Sequence, residues 1–515
     1  MEDAQRSQFA HRSPAAGGLI LVLSVSLALA AGLALRLWLL NNFFEVNGDS
    51  LVYGELAKNL LTHGVYAQTQ VGGELQSTLI RLPGYPLFLA ACFHIFGIEN
   101  YASAPWLQIS MDLAGCLLLA GFVRLIAPPA LKSGAAQCTL WLAALCPFTA
   151  IYAAEPLTEA PTVYCVALAL WSAAWLREQP RWAGALWFTF AVTFAALLRP
   201  DGALVAVALA PAIVVGLRRR DEKLKLRQNP AGAGKAPNAT RMALVCMLLA
   251  LAPFAAWTWR NWQVFHVFEP LAPRMAADPG EDTYPGWERW VKTWCLDFNS
   301  TYDVYWNVPL GPLDIGKLPA RAFDSPAQYA ATTALAADYN SSGQQLTRAI
   351  DERFERLAAE RIAAHPLRYY VGLPLGRVAD MWLRPRVENL PIDLDWWVYE
   401  NHHRETLISW ALVALNALYL LLAVVGLCLR PQMWGAMLAY MLLRSATLLS
   451  VAAPEARYTI ECFPMLFALG GIGAWWGLLK IAAVGKRMKG SILQKRDRGV
   501  HAPAPSLLER EITLS

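Results

Sequence analysis

The sequence predicts an all-α polytopic membrane protein, and three observations predict it. Of its 515 residues 56% are hydrophobic and 16% charged, more apolar surface than a soluble chain of this length can bury. The apolar residues run in unbroken blocks of roughly 17 to 25, the length at which a helix crosses about 30 Å of hydrocarbon. Lysine and arginine collect in short segments beside these blocks, which is how topology is written into a sequence. Unbroken blocks lack the alternation of a β-barrel. The net charge of +5 is not gathered on one face, so the expected surroundings are membrane lipids and no nucleic acid.

The first block runs from Leu19 to Leu40. Its Leu27-Ala28-Leu29-Ala30 stretch imitates a signal-peptidase site, but the apolar run continues past it, so an uncleaved span is expected. Nine further blocks, near 103–126, 135–153, 158–176, 183–199, 201–217, 242–261, 405–429, 432–452 and 457–480, bring the expected number to about ten. The segment Leu217 to Arg241 carries eight Lys/Arg against two acids, and the tail after Trp476 is also basic. Placing both in the cytoplasm puts Arg199 and the Glu155-to-Glu159 turn outside. The block Leu82 to Gly97, opened by Pro83, Gly84 and Pro86, is too short to cross, so it is expected at the membrane surface.

The expected organisation is a transmembrane module over 1–264 with two juxtamembrane helices (49–63 and 82–97), then an external, mainly helical loop domain over 265–404. C-terminal transmembrane helices over 405–482 and a cytoplasmic tail over 483–515 complete it. In the first juxtamembrane helix Val52, Tyr53, Leu56, Ala57, Leu60 and Leu61 share a face, and Gly64 stops it. Nine cysteines, eight of them in or beside apolar blocks, define no disulfide framework and no metal-binding spacing.

Chemistry-bearing residues fall at the expected outer ends of spans. Asp49 sits in Asn47-Gly48-Asp49-Ser50, where it suits both an N-cap and a general base, since a helix N-terminus keeps a carboxylate ionised. Arg81, Arg199, Arg260 and Arg457 lie at one expected depth. Each alone reads as a snorkelling anchor; together, on the side opposite to the basic bias, they suit an anion, because guanidinium forks match phosphate oxygens. Glu155, Glu159 and Asp201 lie at the same level, as partners of these arginines or as groups for an acceptor or metal. Asp393-Leu394-Asp395 has the DxD form of nucleotide-sugar enzymes without the soluble α/β context that motif belongs to.

Taken in chain order, several motifs resemble a glycosyltransferase of the GT-C class, in particular the group of protein O-mannosyltransferases and the aminoarabinose transferase that modifies lipid A. They are Asp49 with its amphipathic helix, Arg81-Leu82-Pro83-Gly84-Tyr85-Pro86-Leu87, Glu155 to Glu159, Arg199-Pro200-Asp201-Gly202, Trp259-Arg260-Asn261, and Arg457-Tyr458 with Pro464. The resemblance implies Asp49 as general base, Arg81 on the donor phosphate, and Glu159 where the pattern has an aspartate. It implies transfer of a single sugar, with inversion, from a polyprenyl-phosphate donor to a hydroxyl of a lipid, glycan or protein acceptor, in a bacterial inner membrane with the site facing the periplasm or exterior. One departure bears on cofactors: the acid expected just before the basic-Pro motif, which helps hold a divalent metal, is replaced by Ser77-Thr78-Leu79-Ile80, so no metal ligand is assigned. Two other readings remain open from the sequence, a transporter or flippase of lipid-linked sugar and a noncatalytic envelope-assembly subunit.

Overall fold

The computed structural model describes residues 14–46, 48–226 and 239–500. Asn47 and parts of the two basic segments expected in the cytoplasm, 227–238 and 501–515, lie outside them.

The protein is an all-α polytopic membrane protein. Among the described residues seven helices are long and apolar enough to cross a membrane, and an eighth span is formed if Lys132–Ala144 and Pro147–Ala153, bent by 54° at their junction, count as one. Pro147 opens the second of that pair, a position where its missing N–H costs no hydrogen bond. Helices occupy all ten expected places, but Trp182–Leu198 has 17 residues and Trp434–Leu448 has 15, short of a full crossing by length.

In chain order the elements that place the site are α1 (Pro14–Phe43), α2 (Asp49–His63), a hairpin of β1 (Ala67–Thr69) and β2 (Leu75–Ser77), and α3 (Gly84–Phe96). Then come α4 (Ser103–Ile126), α5 (Glu159–Glu178), α6 (Trp182–Leu198) and α7 (Ala239–Phe265). The apolar stretch of α5 is 83% buried and that of α7 11%, so α5 is the axis of the bundle and α7 lies on its lipid face. α4 and α6 flank α5, and the C-terminal helix Phe463–Val500 packs along His403–Cys428.

α2 and α3 form at the expected places. α2 ends where expected, with Gly64 left-handed (φ 68°) and its N–H on the Leu60 carbonyl. The hairpin between them, which pairs Ala67 with Ser77 around Gly72 and Gly73, both at positive φ, is not among the elements expected from the sequence. Two glycines bring the site's segments together. A side chain on Gly84 would meet the Leu197 carbonyl oxygen at 2.5 Å, and one on Gly202 the Ala195 carbonyl oxygen at 2.2 Å. α3 and the turn after α6 can therefore press against the end of α6 only because both residues lack a Cβ.

Arg36 and Asp112, each inside a span, are paired. Arg36 of α1 donates to Asp112 of α4 at 2.6 Å and to the Gly32 and Ala144 carbonyls, which satisfies a cation that would otherwise be costly at that depth. The region 265–404 has its own core, in which Trp287, Trp290, Trp294 and Phe354 are buried. Asp351 accepts from the Gly286 and Trp287 backbone N–H groups at the start of helix Pro285–Lys292, locking that helix to Arg348–Ala364.

Candidate active site

Asp49 is the first residue of α2. Gly48, at φ 45°, occupies the N-cap position and makes the turn into the helix, so Asp49 lies inside the first turn and is not the cap. Its carboxylate turns to two guanidinium groups instead. Arg81 Nη2 donates to Oδ1 at 2.9 Å and Arg457 Nη1 to Oδ2 at 3.0 Å. Arg81 sits between the hairpin and α3, and Arg457 in the 3-10 turn Ala456–Cys462. The Tyr66 hydroxyl donates to the Arg81 carbonyl at 3.1 Å, fixing the chain at that residue.

From this clamp a line of alternating charge runs into the protein. Arg457 Nε lies 2.5 Å from Glu455, and Nη1 is 3.9 Å from Glu159. Glu159 pairs with Arg199 at 3.0 Å, Arg199 with Glu461 at 3.0 Å, and Glu461 with Arg444 at 3.3 Å. Asp201 also pairs with Arg444, and lies 3.7 Å from Arg199. Exposure falls along the line: the Asp49 and Arg457 side chains are each 25% exposed, Glu159 is 1% and Glu461 0%. A pair so deeply buried holds its geometry, because removing one member strands the other. The outer members retain access to a ligand.

Asp49 and Arg457 line a cavity of about 630 Å³ together with Glu155, Asn389, Glu455 and the rings of Tyr302 and Trp306. Burial raises the Asp49 carboxyl, but Arg457 and Arg81 more than reverse this and hold it below the ordinary aspartate range. Glu155 shows the opposite balance. Burial pushes it up to about 8, the Asn389 amide that donates to it at 2.5 Å opposes the shift, and the nearby Glu159 charge adds to it. Glu455 is likewise raised, by burial first, against the pull of Arg457. The cavity thus sets Asp49, whose ionised form is favoured, beside Glu155 and Glu455, whose protonated forms are favoured.

The structure brings together Asp49, Arg81 and Arg457, and sets Arg199, Glu159 and Asp201 behind them. Arg260 stands apart. Its two Nη atoms donate to the Thr78 and Tyr66 carbonyls at 2.7 and 2.8 Å, and Tyr66, Trp257 and Phe265 surround it. Its donors hold the two ends of the hairpin, Tyr66 and Thr78, the latter three residues before Arg81. Glu455, Glu461 and Asn389 are not among the residues singled out by sequence. The only signal for the first two is an acid on either side of Arg457 in an apolar stretch.

The carboxylates of this cluster are engaged by guanidinium groups, and residues 77–80 supply no acid, so the arrangement does not fit a metal between Asp49 and Arg81. Among the described residues the group with metal-ligand spacing is Asp393, Asp395 and His402, whose ligand atoms lie within 4.8 Å of one another. His402 Nδ1 is 3.3 Å from Asp393 and Nε2 3.1 Å from Asp395.

No protein-family model matches the chain, and neither does any curated protein. Among solved structures it is similar to the Archaeoglobus fulgidus oligosaccharyltransferase tethered with an acceptor peptide, at 12% identity over 92% of this chain and 51% of that one, with a TM-score of 0.46. The complex of that organism's oligosaccharyltransferase AglB with an inhibitory peptide and a dolichol-phosphate gives 12% identity over 92% and 52%, with a TM-score of 0.45. ArnT from Cupriavidus metallidurans bound to undecaprenyl phosphate gives 16% over 89% and 78%, with a TM-score of 0.35. The chain spans about half the length of the oligosaccharyltransferase it resembles.

Proposed function

We propose that the protein is a membrane glycosyltransferase that moves a single sugar from a polyprenyl-phosphate donor to an acceptor hydroxyl on the non-cytoplasmic face, with inversion. The observation that carries this reading is the clamp of Arg81 and Arg457 on Asp49 at the rim of a cavity. A phosphate leaving group needs no proton from an acid; it needs positive charge where negative charge develops. The donor phosphate, richer in acceptor oxygens than one carboxylate, draws the two guanidiniums onto itself. Asp49 is thereby freed of the charges that depress its basicity. It takes the acceptor hydroxyl's proton as the new C–O bond forms, while the bond from the anomeric carbon to the phosphate oxygen breaks and its electron pair leaves with the polyprenyl phosphate. No step is assigned to a metal.

The sequence resemblance to the GT-C class supports this reading, as does the expected placement of both loops outside a bacterial inner membrane. A lipid, glycan or protein acceptor is compatible with the cavity. The transporter reading calls for in-span charges along a path, whereas Arg36, Asp112 and Arg444 are held in buried pairs. The test is a transfer assay on the purified protein with a panel of polyprenyl-phosphate sugars and acceptors, following released polyprenyl phosphate and glycosylated product together. Matched appearance of both with one donor is expected; no turnover with any donor overturns the assignment.

A further inference from the structure

A second cavity, of about 730 Å³, opens in the region 265–404 on the far side of the wall that bounds the Asp49 cavity. The wall is one short segment, 297–306. Its rings, Phe298, Tyr302 and Trp306, line the Asp49 cavity, while Asp297, Asn299, Ser300 and Asp303 line the second. Arg384 completes the partition. It lies in the second cavity, stacks over Phe298 at 4.8 Å, and its Nε is 2.7 Å from Glu388, which belongs to the first.

The lining chemistry selects a ligand class. Three carboxylates and three cations face the space: Asp297 pairs with Arg321, Asp303 with Lys317 at 3.1 Å, and Asp380 with Arg384 at 3.3 Å, which it shares with Glu388 behind the partition. The lining's own formal charges are equal in number, so it presents no excess of either sign. Paired acids and bases do, however, present donors and acceptors side by side, which is what a row of hydroxyls needs. The rest of the lining includes Trp396 and Trp397, and Trp397 is 52% exposed, an aromatic face of the kind that the C–H face of a sugar ring covers. Asn299 Nδ2 donates to the Leu394 carbonyl at 2.9 Å, so the tryptophans are tied to the partition itself.

We propose that this cavity is a binding subsite for a neutral oligosaccharide, the glycan portion of the acceptor, held beside the cavity where its terminal hydroxyl reacts. The transfer role rests on the function proposed above; the binding role does not. A polyhydroxylated chain lies on Trp397, hydrogen-bonds Asp380 and Asp303, and is delivered past the Phe298–Arg384 partition.

The experiment titrates the full-length protein in nanodiscs with neutral gluco-, manno- and galacto-configured trisaccharides, a uronic-acid trisaccharide and a glucosamine trimer. Binding is read by calorimetry in wild type, Trp397→Ala, Asp380→Asn and Asp49→Asn, each first shown to melt as wild type does. At least one neutral trisaccharide should bind, about tenfold more weakly in Trp397→Ala and in Asp380→Asn and unchanged in Asp49→Asn. Preference for either charged trimer, no binding by any sugar, or binding indifferent to both cavity variants would overturn the subsite. The same proteins in the transfer assay separate the two proposals. Saccharide binding lost in Trp397→Ala but no turnover in wild type leaves the subsite standing and removes the transferase. Turnover in wild type with binding untouched by either cavity variant does the reverse.

Discussion

Asp49 and Arg457 are 408 residues apart in the chain and 3.0 Å apart in space, and Arg81 grips the other oxygen of the same carboxylate. The rim of the cavity thus carries two guanidiniums bridged by one carboxylate, with Glu455 on the far side of Arg457. An anion with more oxygens than Asp49 has a ready exchange to make: it takes both guanidiniums and releases the carboxylate.

Arg457→Ala and Arg81→Ala should each weaken binding of polyprenyl phosphate by about ten- to a hundredfold, the loss expected of one charge-assisted contact. Fluorescence or calorimetric titration in nanodiscs reads this directly. Arg457→Lys should recover part of the affinity, since it restores the charge without the fork. Unchanged affinity in both alanine variants would leave the arginines as anchors.

Arg260→Ala should behave differently. Its guanidinium is spent on the Thr78 and Tyr66 carbonyls, so removal should lower the melting temperature while donor affinity in the surviving folded fraction stays within about twofold of wild type. A large loss of donor affinity without loss of stability would return Arg260 to the phosphate site.

Arg199→Ala should be the most destabilising of the arginine substitutions. It takes the nearer guanidinium from Glu159 and Glu461, both essentially without solvent contact, and leaves them only Arg457 at 3.9 Å and Arg444 at 3.3 Å, at a cost of about 3 kcal/mol. Thermal unfolding in detergent should show it, and pairing Arg199→Met with Glu461→Gln should return part of the loss.

Glu155 gives the protein a pH signature. With its carboxyl raised to about 8 by burial, the folded protein keeps a proton that the unfolded chain has released once pH exceeds the ordinary glutamate range. Stability contributed by that proton is full below the unfolded value and is lost as pH rises to about 8. Melting temperature should decline across this window, and Glu155→Gln should flatten the decline. A wild-type profile that rises with pH there, or a variant with the same slope, would contradict the shift.

Much of the architecture is legible in the sequence because membranes simplify the reading. Block length locates helices at all ten expected places, and of the four arginines expected at one depth, Arg81, Arg199, Arg260 and Arg457, two meet on the Asp49 carboxylate. The same reasoning overreaches at Arg260, since position along a helix says nothing about whether nearby carbonyls have already consumed the guanidinium. Glu461 and Glu455 are hidden because their partners are remote in sequence. Arg36 and Asp112, each alone inside a span, are understandable only as a pair. The hairpin leaves a readable trace, the Gly72-Gly73 turn, whereas the two-cavity partition depends on packing between segments 297–306 and 384–397 that no local pattern specifies.

The exchange at the clamp is tested most directly by Asp49→Asn, measured twice on one preparation: affinity for polyprenyl phosphate, and turnover with the sugar-bearing donor. Removing the competing carboxylate charge should tighten phosphate binding by about tenfold while sugar transfer falls by about a hundredfold or more. Phosphate affinity no better than wild type, together with undiminished transfer, would contradict both the competition and the proton-accepting role.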